Sequence, residues 1–126
     1  MSADIAGMGW VTPLGADLQL VWERMQRGDL PETKTVANPE TGRLHSYIPV
    51  PPKLVESLGR NPRLRRSSAI SYFAVAAGLA ALENAGLILT PEIAARTAVV
   101  FAMTDGGVLY TRRFYEQIVK QGAKPR

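Results

Sequence analysis

An α/β fold is predicted by three features of this 126-residue chain. Residues 4–12 mix small and β-forming side chains and end at the turn Pro13-Leu-Gly15, with an amphipathic helical pattern directly behind them. Residues 69–82 are apolar on nearly every side, which is the pattern of a buried helix. Thr97-Ala-Val-Val-Phe-Ala102 is a continuous apolar run rich in β-branched residues, and reads as a strand covered on both faces, as in a parallel sheet.

In chain order, the first strand is expected to be short and buried. Leu18, Val21, Trp22 and Met25 then fall at i, i+3, i+4 and i+7 on one helical face, with Asp17 placed to cap that helix and Gly28 to end it. Core packing is the role expected of Trp22 and Met25. Residues 29–62 hold six of the nine prolines, so they should form an irregular surface excursion with a hairpin around residues 43–48 and a helical turn at 53–58. Ser67 or Ser68 is a natural N-cap for the apolar helix, and Asn84-Ala-Gly86 closes it. Ala74, Ala76, Ala77, Gly78, Ala80 and Ala81 keep that helix thin, which permits close approach to a sheet or to another helix. After Thr104-Asp-Gly-Gly107 comes a helix whose Tyr110, Phe114 and Ile118 share one stripe, with Arg112, Arg113, Glu116 and Lys120 facing water and Gly122 as the stop.

Composition narrows the functional classes. At 46% hydrophobic and 21% charged residues, the chain suits a single globular domain. Its longest mostly apolar run is shorter than the roughly 20 residues a membrane-spanning helix requires, so no membrane span is expected. Residues 1–4 lack the basic start of a signal peptide. The chain contains no cysteine, which excludes disulfides and thiolate metal sites and fits a cytoplasmic location. His45 is the only histidine and is flanked by polar residues, so no metal site and no cofactor are expected.

The net charge is +4 and the pI about 9.8. Arg60, Arg63, Arg65 and Arg66 crowd into residues 60–66, a cluster whose long-range electrostatics can attract nucleic acid, an anionic membrane or an acidic protein, and which equally suits the solvated start of a helix carrying ordinary surface charge. Nucleic acid is not expected, because no aromatic residues interleave with the cluster and it sits in no recognisable binding module. The turn before the last helix lacks a Gly-x-Gly-x-x-Gly or Gly-Lys-Ser/Thr pattern, and Asp105 puts a negative charge where a phosphate would lie, so capping is the role its residue type predicts.

Four segments in order resemble the start of a β-ketoacyl synthase: Ile5-Ala-Gly-Met-Gly-Trp-Val-Thr-Pro-Leu-Gly15, Arg65-Arg-Ser-Ser68, Ala76-Ala-Gly-Leu-Ala-Ala-Leu-Glu-Asn-Ala-Gly-Leu87 and Arg96-Thr-Ala-Val-Val-Phe-Ala-Met-Thr-Asp-Gly-Gly107. The resemblance covers nearly the whole chain and is weakest in the Pro-rich middle. It implies a thiolase-like fold, two similar α/β halves stacked in five layers, of which residues 1–126 would supply only the opening elements of the N-terminal half. The family condenses acyl groups in fatty-acid and polyketide synthesis, using a cysteine nucleophile and two histidines. With no cysteine, and with His45 outside any catalytic motif of the family, no catalytic residue is assigned. The expectation is an N-terminal fragment, inactive as isolated; the alternative is a non-catalytic partner subunit like the chain-length factors.

The resemblance also implies partners and site residues. Basic residues before the long apolar helix and in the segment after the last helix meet the acidic acyl carrier protein in elongating members. The matching positions are Arg65 and Arg66, then Arg126, with Arg63 and Lys124 adjacent. Thr104 and Asp105 occupy the place of an acyl-pocket gate that is often apolar in elongating synthases. A carboxylate there would cost several kcal/mol beside a fatty chain unless it were paired or protonated. The family further implies a homodimer or heterodimer of synthase-like subunits.

Overall fold

A computed structural model of the chain describes residues 2–102 and 108–122. Helix α1 (Leu18–Gln26) begins where Asp17 Oδ1 accepts the Leu20 N–H at 2.8 Å. It ends at Gly28, whose φ of +73° lets the chain turn back, so that Gly28 and Asp29 donate to Met25 and Arg24. Strands β1 (Lys34–Ala37) and β2 (Leu44–Tyr47) form an antiparallel hairpin, with Val36 opposite His45 and Lys34 opposite Tyr47. Asn38 shapes its turn, its side chain accepting the N–H groups of Glu40 and Thr41. A 3-10 helix, η1 (Pro52–Arg60), leads into α2 (Ala69–Asn84), then come α3 (Pro91–Ala95) and α4 (Val108–Gln121).

The N-terminal segment lies against α2, and the approach is close because both surfaces are stripped of side chains. A Cβ added to Gly7 would sit 2.7 Å from the Ala85 Cβ and would strike the Ala81 carbonyl; one added to Gly9 would strike the Ala77 carbonyl and lie 2.9 Å from the Ala80 Cβ. Asn84, at the end of the same helix, accepts the Met8 N–H at 3.0 Å. The thin helix does permit close approach, but what approaches its alanines is the irregular N-terminal segment and not the sheet or helix expected.

Other expectations are corrected. Among the described residues the only sheet is the β1–β2 hairpin. Residues 4–11 and 98–102 are outside it, and among the described residues they exchange no backbone N–H and C=O bonds with another segment. The hairpin's second strand falls within the expected 43–48 region, and the helical turn expected at 53–58 extends over Pro52–Arg60. Of the α1 stripe only Val21 is buried, at 1% exposure, whereas Trp22 is 52% exposed. Helix α2 has no buried residue despite being apolar all round; among the described residues it is met by the N-terminal segment and by η1. Among the described residues no helix is long and apolar enough to cross a membrane.

Candidate functional site

The arginine cluster forms a shaped turn. At the end of η1, Asn61 donates its N–H to the Leu58 carbonyl at 2.9 Å, and its side-chain oxygen accepts the Arg63 N–H at 3.0 Å. The Leu64 N–H returns to the Asn61 carbonyl and the Ser67 N–H to the Leu64 carbonyl, closing two successive turns. The Tyr72 hydroxyl, one turn inside α2, donates to the Leu64 carbonyl at 2.9 Å and fixes the turn to the helix. Ser68 caps α2, its Oγ accepting from the Ser71 N–H at 3.4 Å. Arg63, Arg65 and Arg66 are exposed on this frame, and among the described residues no carboxylate pairs with them.

Other cations in the chain divide: Arg24, Arg27, Lys34 and Arg112 are engaged, while Arg43, Lys53, Arg60 and Arg96, like the arginines of this turn, form no ion pair among the described residues. Arg24 and Arg27 both reach Asp29 Oδ2 at 3.2 Å, and Arg24 also donates to the Leu14 carbonyl at 2.7 Å. These contacts, the Arg27 hydrogen bond foremost, hold the Asp29 carboxyl below its ordinary value of 3.8. Arg112 reaches Glu116 on its own helix at 2.8 Å and Glu40 in the hairpin turn at 2.7 Å. The hydrogen bond from Arg112 is the main reason the Glu116 carboxyl is also lowered.

Two grooves lie among the described residues. One, of about 910 Å³, runs between the N-terminal segment, α1 and α2, lined by Met8, Trp10, Leu18 and Trp22. The other, of about 450 Å³, lies where the Pro13–Asp17 turn and α1 face Pro51–Leu54; its Arg24 and Arg27 are already held by Asp29. Among the described residues, no three or more His, Cys, Asp or Glu side chains are grouped to hold a metal ion. His45 is exposed on β2.

The structure thus brings Arg63, Arg65 and Arg66 into one turn. Arg126, with Lys124, and the gate residues Thr104 and Asp105 lie outside the described residues. Sequence reasoning missed Asn61 and Tyr72, which position the arginines. The Asn61-Pro62 pair is a turn signal that could have found the first; the Tyr72 contact depends on the chain folding back, which no local pattern records. In comparisons with known proteins, no family model, no curated protein and no solved structure matches the chain.

Proposed function

We propose that this chain is the opening part of the N-terminal half of a β-ketoacyl synthase-like condensing protein of fatty-acid or polyketide biosynthesis, and that its contribution is a docking surface for an acidic acyl carrier protein. The observation that carries this reading is the arginine turn: three exposed, unpaired guanidinium groups on a frame fixed by Asn61, Tyr72 and Ser68, at the positions where the resemblance places carrier contacts. Guanidinium is always charged and forks onto carboxylates, so such a turn captures an acidic helix on encounter and sets its orientation. Catalysis is not part of the reading, since a chain without a thiol cannot form the thioester acyl-enzyme of the family. The same surface serves a synthase or a chain-length-factor-like subunit; a cysteine and two histidines on the same polypeptide decide for the synthase.

The test is binding of a fluorescent acyl carrier protein to this chain and to its Arg65→Glu/Arg66→Glu variant. The variant should bind about tenfold more weakly at low salt, and the difference should shrink as ionic strength rises and the Debye length falls below about 10 Å. Far-UV circular dichroism should be unchanged, because both residues precede α2. Equal binding by the two proteins at low salt would sink the docking role.

A further inference from the structure

A hydroxyl beside the arginine turn has no part in docking. Ser68 follows Arg65 by three residues and Arg66 by two, with Arg63 further upstream. Its Oγ caps α2 through long contacts, 3.4 Å from the Ser71 N–H and 3.2 Å from the Ser71 Oγ, and the residue is half-buried, not enclosed. We propose that Ser68 is a phosphorylation site, modified by a serine kinase with an acidic substrate groove, and that its phosphate switches off the arginine turn.

In the transfer, Ser68 Oγ bonds to the γ-phosphorus of ATP as the bond from that phosphorus to the β,γ-bridging oxygen breaks; ADP leaves, and the hydroxyl proton passes to the kinase's base. The arginines select the hydroxyl. Guanidinium groups upstream of an acceptor fork onto carboxylates in the kinase's groove, so their spacing along the chain fixes which oxygen reaches the phosphate. Ser68 has a pair of arginines behind it with one residue between, the pattern that arginine-directed kinases read. Ser67 has Arg66 directly beside it. Ser46 has only Arg43 at a comparable distance, and it is held in the hairpin opposite Thr35. Residues 61–68 lie between η1 and α2, held by the Leu64 and Ser67 N–H bonds and by the Tyr72 hydroxyl. Opening these few contacts extends the segment for a kinase cleft without unfolding either helix.

The consequence follows from charge. A phosphoserine carries about −2 at pH 7, so it takes the turn formed by Arg63, Arg65 and Arg66 from about +3 to about +1. It also stands at the positive end of α2, whose first N–H groups lack carbonyl partners within the helix, so the chain accommodates the new charge with its helix intact. Arginines neutralised in this way have little attraction left for an acidic carrier. The switch rests on the carrier-protein reading, whereas the modification of Ser68 does not.

In the test, the chain is incubated with magnesium ATP and the catalytic subunit of cAMP-dependent protein kinase, an arginine-directed enzyme, and the phosphate is located by peptide mass spectrometry. Phosphate on Ser68 is the expected result. Ser68→Asn should stay unlabelled there although asparagine still caps the helix, and Arg65→Gln/Arg66→Gln should be labelled about tenfold more slowly or worse. The phosphorylated chain should bind acyl carrier protein about tenfold more weakly at low salt, and phosphatase treatment should restore binding. No incorporation, phosphate on Ser67 or Ser46 in place of Ser68, or labelling of Ser68 at the same rate without the arginine pair would each overturn the site. Phosphorylation of Ser68 with carrier binding unchanged would overturn the switch. If even the unmodified chain binds no carrier, the carrier reading falls while labelled Ser68 upholds the modification site.

Discussion

At the scale of single residues, Asp29 is the most constrained charge in the chain. It lies just past Gly28, where the reversal at the end of α1 returns it beneath Arg24 and Arg27. Its carboxyl is lowered, so the stabilisation it provides is complete above the ordinary value of 3.8 and is lost as pH falls through the folded value. Proton titration followed by NMR should place the Asp29 midpoint below 3.8, and Arg27→Ala should move it back toward that value, because the Arg27 hydrogen bond is the largest influence. A wild-type midpoint at 3.8 would mean the ion pairs do not form in solution. The solvent-exposed geometry predicts a further sign: added salt raises the midpoint, since exposed pairs are screened.

At the scale of elements, the contact between the N-terminal segment and α2 is the one most open to mutation. Gly9→Ala forces a methyl into the Ala77 carbonyl and should cost about 1–3 kcal/mol of docking, seen as faster hydrogen exchange at the Met8 amide. Gly78→Ala is the matched control, because its added Cβ meets nothing within 4 Å; it should strengthen α2 by about 1 kcal/mol through helix propensity. If both variants leave Met8 exchange unchanged, the segment does not dock. The caps and stops of α1 and α2 were legible in the sequence because Asp17, Ser68, Gly28 and Gly86 act on backbone groups within a turn of themselves. The hairpin was legible in part, its second strand inside the region expected for it and its turn not at all, since Asn38 works through side-chain bonds that its residue type only permits. The arginine turn could be read as charge but not as shape. Arg112 was expected to face water and does, yet it also reaches Glu40, a partner 72 residues away that no helical spacing could reveal.

At the scale of the whole molecule, patterning and packing disagree. Nearly half the residues are hydrophobic; the periodicities of α1 and α4 each call for a covered face, and α2, apolar all round, calls for cover on every side. Among the described residues only Val21 is fully enclosed. Phe114, Tyr115 and Val119 leave α4 with an open apolar side, and Ile88, Val99 and Val100 do the same beyond α2. Secondary structure is specified locally here, by caps, glycines and prolines, while among the described residues the tertiary burial that normally stabilises it is slight. Cooperative unfolding requires elements that lose their contacts together, and these elements share few. Dilute chain heated in a calorimeter should therefore show no sharp absorption peak, only a gradual loss of helical circular dichroism. As concentration rises and apolar faces find cover in other copies, the transition should sharpen and move upward in temperature by mass action. A sharp, concentration-independent transition, with the roughly 0.7 kcal/mol per residue of enthalpy usual for a packed domain, would show that the chain encloses a core of its own, and that its exposed faces are not surfaces waiting for protein.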